Sequence, residues 1–229
     1  MGKNIRIWKS FEELRKAAEA GDPIAQRDLA ICYQTGHCVT LNYEEAFKWF
    51  RKAAEHGDPT AQCYLGVCYQ LGQGVEQDLQ QAAYWFQRAA EAGDPAAQFN
   101  LGLLYETGQG VPQSYELAFK WFLAAAQQGE PQAQFNVGVY YQEGLGVPKN
   151  YAEAVKWYYR AAEQDCAPAQ CNLGYCYEHG LGVPQDMEEA VKWYLRAARQ
   201  GDKYAQHNLG LYYSKLNQQT LDQESRAIE

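Results

Sequence analysis

The stretch KWFRKAAEHGDPTAQCYLG, residues 48–66, recurs as YWFQRAAEAGDPAAQFNLG at 84–102. Three more copies follow, KWFLAAAQQGEPQAQFNVG from Lys120, KWYYRAAEQDCAPAQCNLG from Lys156 and KWYLRAARQGDKYAQHNLG from Lys192. Trp49, Trp85, Trp121, Trp157 and Trp193 keep one register with a period of 36 residues. A fixed period of that length marks an array in which each unit buries its apolar face only against its neighbours. The chain of 229 residues is long enough for one or two globular domains, but the repetition predicts a core that grows in one dimension.

Each unit reads as two helices. In the first, helix A, Ala97, Leu101 and Tyr105 recur four residues apart and so share a face. In the second, helix B, Ala118, Trp121, Phe122, Ala125 and Ala126 follow the spacing of a buried stripe. Between B and the next A stands a glycine-aspartate-proline triplet, as at Gly57, Asp58 and Pro59. Glycine ends one helix in the left-handed conformation, aspartate caps the next, and proline takes its first position. Asn42, Asp78, Ser114, Asn150 and Asp186 are expected to cap the B helices, with Glu45, Gln81, Glu153 and Glu189 closing capping boxes. Ser10 and Glu13 repeat that signature, so the chain should open with an unpaired helix B. The expected organisation is a half repeat at 10–20, repeats starting near 22, 58, 94, 130 and 166, a half repeat at 202–215 and a tail at 216–229, about twelve helices in all. The tail LNQQTLDQESRAIE reads equally as a short helix, a fraying end or a product of truncation.

The A-to-B loop reads GQGVEQ at 72, GQGVPQ at 108, GLGVPK at 144 and GLGVPQ at 180. It lacks the third glycine of a dinucleotide fingerprint and the lysine of a phosphate loop, so its glycines are read as turn residues with Val75, Val111, Val147 and Val183 tucked beneath. The alternation of AxxxLGxxY, GxGVPxD and AxKWYxxAAxxGxxxAQ resembles the Sel-one-like repeat (SLR), a relative of the tetratricopeptide repeat, from residue 10 to about 213. That resemblance implies an all-α, right-handed α/α superhelical solenoid of antiparallel helix pairs that binds protein partners on its concave wall. Cys38 departs from it in place of a loop glycine, as do Asp165 and Cys166 in place of the glycine-aspartate pair.

Composition narrows the function. With 47% hydrophobic and 14% aromatic residues the chain can form a core, and its net charge of -8 leaves no basic stripe for nucleic acid. No apolar run reaches the ~20 residues of a membrane span. MGKNIRIWKS lacks a signal-type apolar segment, so the cytoplasm is the expected location. Gly2 invites myristoylation, but Arg6 stands where Ser or Thr is needed. The 7 cysteines are odd in number and irregular in spacing, which favours reduced thiols over a disulfide framework. A metal site from Cys171, Cys176, His179 and His207 lacks zinc-finger spacing, and neither metal nor cofactor is expected.

Enzymatic chemistry has little support. Cysteine-rich members of the family have been linked to penicillin binding, yet no serine here is followed three residues later by lysine. Glu44 with Lys48 and Glu188 with Lys192 read as surface pairs. The helical glycines 66, 102, 138, 174 and 210 predict close helix crossing, and Gln26, Gln62, Gln98, Gln134, Gln170 and Gln206 predict ties between backbone groups. About a quarter-turn from the buried stripe, Asn100, Asn136, Asn172 and Asn208 form a row, preceded by Asp28 and Tyr64. The row reads either as a partner-binding wall or as amides bonded to an adjacent helix. Tyr175, His179 and Tyr204 replace smaller residues of earlier copies and are candidate anchors. The leading expectation is a non-enzymatic scaffold or adaptor, monomeric or weakly self-associating, for a protein or peptide. The alternatives are a penicillin-binding or β-lactamase-like enzyme, and self-association through the incomplete terminal repeat.

Overall fold

The computed structural model describes residues 8–228, so the reading of Gly2 and Arg6 lies outside the described residues. Among these it contains twelve helices and no strand: α1 (Phe11–Glu19), α2 (Pro23–Thr35), α3 (Tyr43–Glu55), α4 (Pro59–Leu71), α5 (Leu79–Glu91), α6 (Pro95–Thr107), α7 (Tyr115–Gln127), α8 (Pro131–Glu143), α9 (Tyr151–Glu163), α10 (Ala167–His179), α11 (Met187–Arg199) and α12 (Lys203–Ile228). Even-numbered helices are the A type and odd-numbered ones the B type, in the tandem order of an α/α solenoid. None of the described helices is long and apolar enough to cross a membrane. The stretch 216–228, open from sequence, continues α12 as helix.

Internal contacts divide the chain into two units, 1–125 and 126–229. In the first, α1 packs on α2, α2 on α3, α3 on α4, α4 on α5 and α5 on α6. In the second, α8 to α12 pack in the same serial manner.

The local signals act as their chemistry requires. Asp58 and Asp94 accept from the backbone N–H groups of Ala61 and Ala97, capping α4 and α6. Gly57 takes φ +89° behind α3, and Asp58 N–H closes the helix end on Ala53 O at 3.2 Å. Two caps are missing: Glu130 and Cys166 make no side-chain bond to α8 and α10. Asp165 adopts φ +59° where the other repeats use glycine, and its carboxylate accepts from Arg196 at 3.1 Å and Gln170 at 3.3 Å.

The B-helix capping boxes form only in part. Asn42 Oδ1 accepts from Glu45 N–H, but the Asn42 N–H donates to Tyr33 O at 2.9 Å rather than to the Glu45 carboxylate. The same backbone bond forms at Asp78, Ser114, Asn150 and Asp186, whose N–H groups donate to Tyr69, Tyr105, Tyr141 and Tyr177. A backbone acceptor in the preceding A helix displaces the local glutamate, which turns outward. Glu45 and Glu189 then pair with Lys48 and Lys192 at 2.8 Å, correcting the expected pairing through Glu44 and Glu188.

Glycine inside a helix costs ~1 kcal/mol relative to alanine, and the core explains why four are kept. A Cβ on Gly66 or Gly102 would lie 2.7 or 2.6 Å from the ring of Phe86 or Phe122. On Gly138 and Gly174 it would lie 2.5 and 2.8 Å from the rings of Tyr158 and Tyr194. Each hairpin is closed by an aromatic ring seated on a bare helix backbone, and all four rings are buried. At Gly210 no such ring is within reach.

The repeated glutamines tie successive repeats. Gln62 and Gln98 donate to Ala54 O and Ala90 O at 3.1 and 3.2 Å, satisfying carbonyls at the ends of the preceding B helices. In the second unit Gln134 and Gln170 also accept from Gln164 and Gln200, at 2.8 and 2.9 Å, so one amide joins two B-helix ends.

Candidate functional site

The A helices carry the candidate residues, and packing fixes which of them remain free for a ligand. In the first unit this register is largely occupied by internal contacts. Asp28 accepts from Trp8 Nε1 at 2.9 Å and from Arg27 at 2.8 Å. Arg27 also reaches Asp58 at 3.2 Å. Tyr64 stacks on Phe50 with centroids 4.9 Å apart and planes 12° from parallel. Asn100 is half-buried and bonds the Cys63 thiol, which burial first and Asp94 second push up to about 12.

In the second unit Asn136, Asn172 and Asn208 are again half-buried. The amides of Asn172 and Asn208 meet the hydroxyls of Tyr158 and Tyr194. Those hydroxyls donate to Gln142 at 2.9 Å and Glu178 at 2.7 Å. Burial is the main cause raising both tyrosine pKa values, assisted at Tyr194 by Glu178, so both remain protonated donors at neutral pH. An asparagine amide offers two donors and an acceptor oxygen, and one tyrosine contact leaves capacity over. The row therefore serves the framework at Asn172 and Asn208.

Tyr175 and His179 are brought together. Their rings lie 4.2 Å apart at 31°, and His179 Nδ1 is 3.1 Å from Tyr175 O. With Nδ1–H donating to that carbonyl, Nε2 is the nitrogen left to face solvent. Tyr175 is 43% exposed and Tyr204, on α12, 79% exposed. The two rings form an exposed aromatic contact across one helical turn, and Tyr204 is a separate exposed ring.

The cysteines of this unit are of another kind. Cys166, Cys171 and Cys176 are buried. Burial pushes the Cys176 thiol up to about 11, and burial together with Asp202 pushes Cys171 up to about 12. Among the described residues no cluster of His, Cys, Asp and Glu is arranged to hold a metal ion.

Comparison with known proteins places this geometry. The family model for the Sel1 repeat matches residues 23–58, 59–94, 95–130, 131–166, 167–202 and 203–228. Among solved structures, c5321, a protective antigen present in uropathogenic Escherichia coli strains and displaying an SLR fold, is 36% identical with a TM-score of 0.84. The match covers 87% of this chain and 43% of that one. A Sel1 repeat protein from Oxalobacter formigenes is 39% identical with a TM-score of 0.80, over 88% of this chain and 59% of that one. This chain thus spans less than two thirds of either protein. No curated protein matches it significantly.

Proposed function

The chain belongs to the Sel1 repeat family, whose members generally mediate protein–protein interaction, and from that premise we propose that it is a non-enzymatic scaffold that binds a protein or peptide segment along its A-helix wall. The observation that carries this reading is the exposed contact of the Tyr175 and His179 rings. Amphipathic rings already in contact with each other have less conformational freedom to lose on binding, and such side chains anchor interfaces. Tyr204 adds a second anchor, and the amides of Asn136, Asn172 and Asn208 in the same unit are suited to the backbone of an extended segment. The described A helices of the second unit present few charges to this wall, so side-chain packing and hydrogen bonds, rather than a charge pattern, set its selectivity.

Affinity capture from the native organism, using the wild type and a Tyr175→Ala, Tyr204→Ala double variant, tests the proposal. Removing a central anchor costs ~2 kcal/mol or more, so the double variant should lose at least about 30-fold in affinity for the captured protein. Because both rings are exposed, its melting temperature should stay close to that of the wild type. Retention of the same protein at unchanged affinity would place binding elsewhere.

A further inference from the structure

A second chemistry stands apart from that wall, where the first repeat departs from its register. Cys38 occupies the position held by Gly74, Gly110 and Gly182 in later repeats. A Cβ on Gly74 would lie 2.0 Å from Tyr43 O, because that loop crosses the start of the preceding B helix. In the first repeat the corresponding B helix starts later, α1 beginning at Phe11, one turn later in register than α3. A recess of ≈ 380 Å³ opens there, with Cys32 and Cys38 both in its lining beside Trp8, Phe11, Leu14 and His37. The same late start leaves Cys32 half-exposed, whereas its equivalents Cys68, Leu104, Tyr140 and Cys176 are buried. Cys38 is exposed and holds φ +64°, a left-handed conformation that costs a non-glycine residue ~1–2 kcal/mol.

We propose that Cys32 and Cys38 are a reversible thiol–disulfide pair, oxidised by a peroxide that enters this recess. Two thiols six residues apart, on a helix end and on the turn leaving it, line one recess large enough for the oxidant. Burial and the neighbouring Cys38 push the Cys32 thiol up, which leaves exposed Cys38 as the sulfur that reacts first. Its thiolate attacks a peroxide oxygen, the O–O bond breaks, hydroxide leaves, and Cys38 becomes a sulfenic acid. The Cys32 sulfur then attacks that of Cys38, the S–S bond forms, and the sulfenic oxygen leaves as water with the Cys32 proton. Two thiols lose two electrons, and one hydrogen peroxide becomes two waters. The five remaining cysteines are buried, with Cys63, Cys68, Cys171 and Cys176 raised to about 11 or 12, and serve as internal controls.

The test treats the full chain with hydrogen peroxide, blocks free thiols after unfolding and maps the tryptic peptides. Residues 28–48 carry both cysteines on one peptide, with no lysine or arginine between them. That peptide should appear unblocked and two hydrogens lighter, should recover both thiols with dithiothreitol, and should form at least about 10-fold faster than any buried cysteine reacts. Cys32→Ser should leave Cys38 as a sulfenic acid trapped by dimedone, whereas Cys38→Ser should leave Cys32 reduced. Dimedone labelling or over-oxidation of Cys38 in the wild type, a bridge between two chains, or equal reaction of the buried thiols would overturn the pairing.

Discussion

Gly110→Ala should destabilise the chain by about 2–4 kcal/mol, whereas Gly108→Ala, two residues earlier in the same loop, should cost only about 1–2 kcal/mol. Both glycines have positive φ, +70° at Gly108 and +72° at Gly110. Both variants therefore carry the same left-handed penalty. The difference lies in what the added methyl meets. At Gly108 it would stand 3.2 Å from Gln113 Cβ, in a surface loop that can give. At Gly110 it would stand 2.1 Å from Leu79 O and 2.5 Å from Leu79 C, the backbone at the start of α5. No side-chain rotation relieves that overlap, so the loop must lift away from α5. Urea denaturation of the two variants side by side measures the gap, and equal losses would mean that the loop does not bear on the helix start.

Phe86→Ala should cost about 3–5 kcal/mol. The ring is fully buried, sits on the bare backbone of Gly66, and lies in the cluster with Ala82, Ala97 and Leu101. Removing it leaves a cavity that α4 and α5 cannot close, because the glycine side offers no atoms to collapse inward. Nearest-neighbour energetics localise the damage. Hydrogen exchange should accelerate in α4, α5 and α6 well before α2. A uniform rise from α1 to α6 would show that the unit unfolds as one globular body.

What the sequence revealed and what it hid divide by range. The period, the helix pairs and the caps rest on signals within a few residues, such as Asp58 with Ala61, and these were legible. The partner of each capping N–H was not. Glu45 stood at the right spacing, but Tyr33 O arrives from the preceding helix and wins as a backbone acceptor already fixed in place. Likewise Gly110 announced a turn, while its contact with Leu79 depends on how two hairpins stack. At the candidate site, the departure of Tyr175 and His179 from the repeat consensus is visible in the sequence itself. The asparagine row was ambiguous for a physical reason: its partners Tyr158 and Tyr194 occupy a register that holds phenylalanine in earlier repeats, and the hydroxyl contact appears only when α9 meets α10 and α11 meets α12. The recess at Cys32 and Cys38 was hidden too, because it depends on where α1 starts.

Site-directed photocross-linking is the most direct test of an A-helix binding wall. A benzophenone amino acid would replace Tyr175, Tyr204 or Tyr159 in turn. Tyr159 is a fitting control, since it is 48% exposed, comparable to Tyr175 at 43%, but belongs to the B helix α9 and packs against Trp193. Irradiation in extracts of the native organism should give the same cross-linked protein from positions 175 and 204 and none from 159. A cross-link from position 159, with positions 175 and 204 silent, would contradict the account and move the partner to the B-helix side.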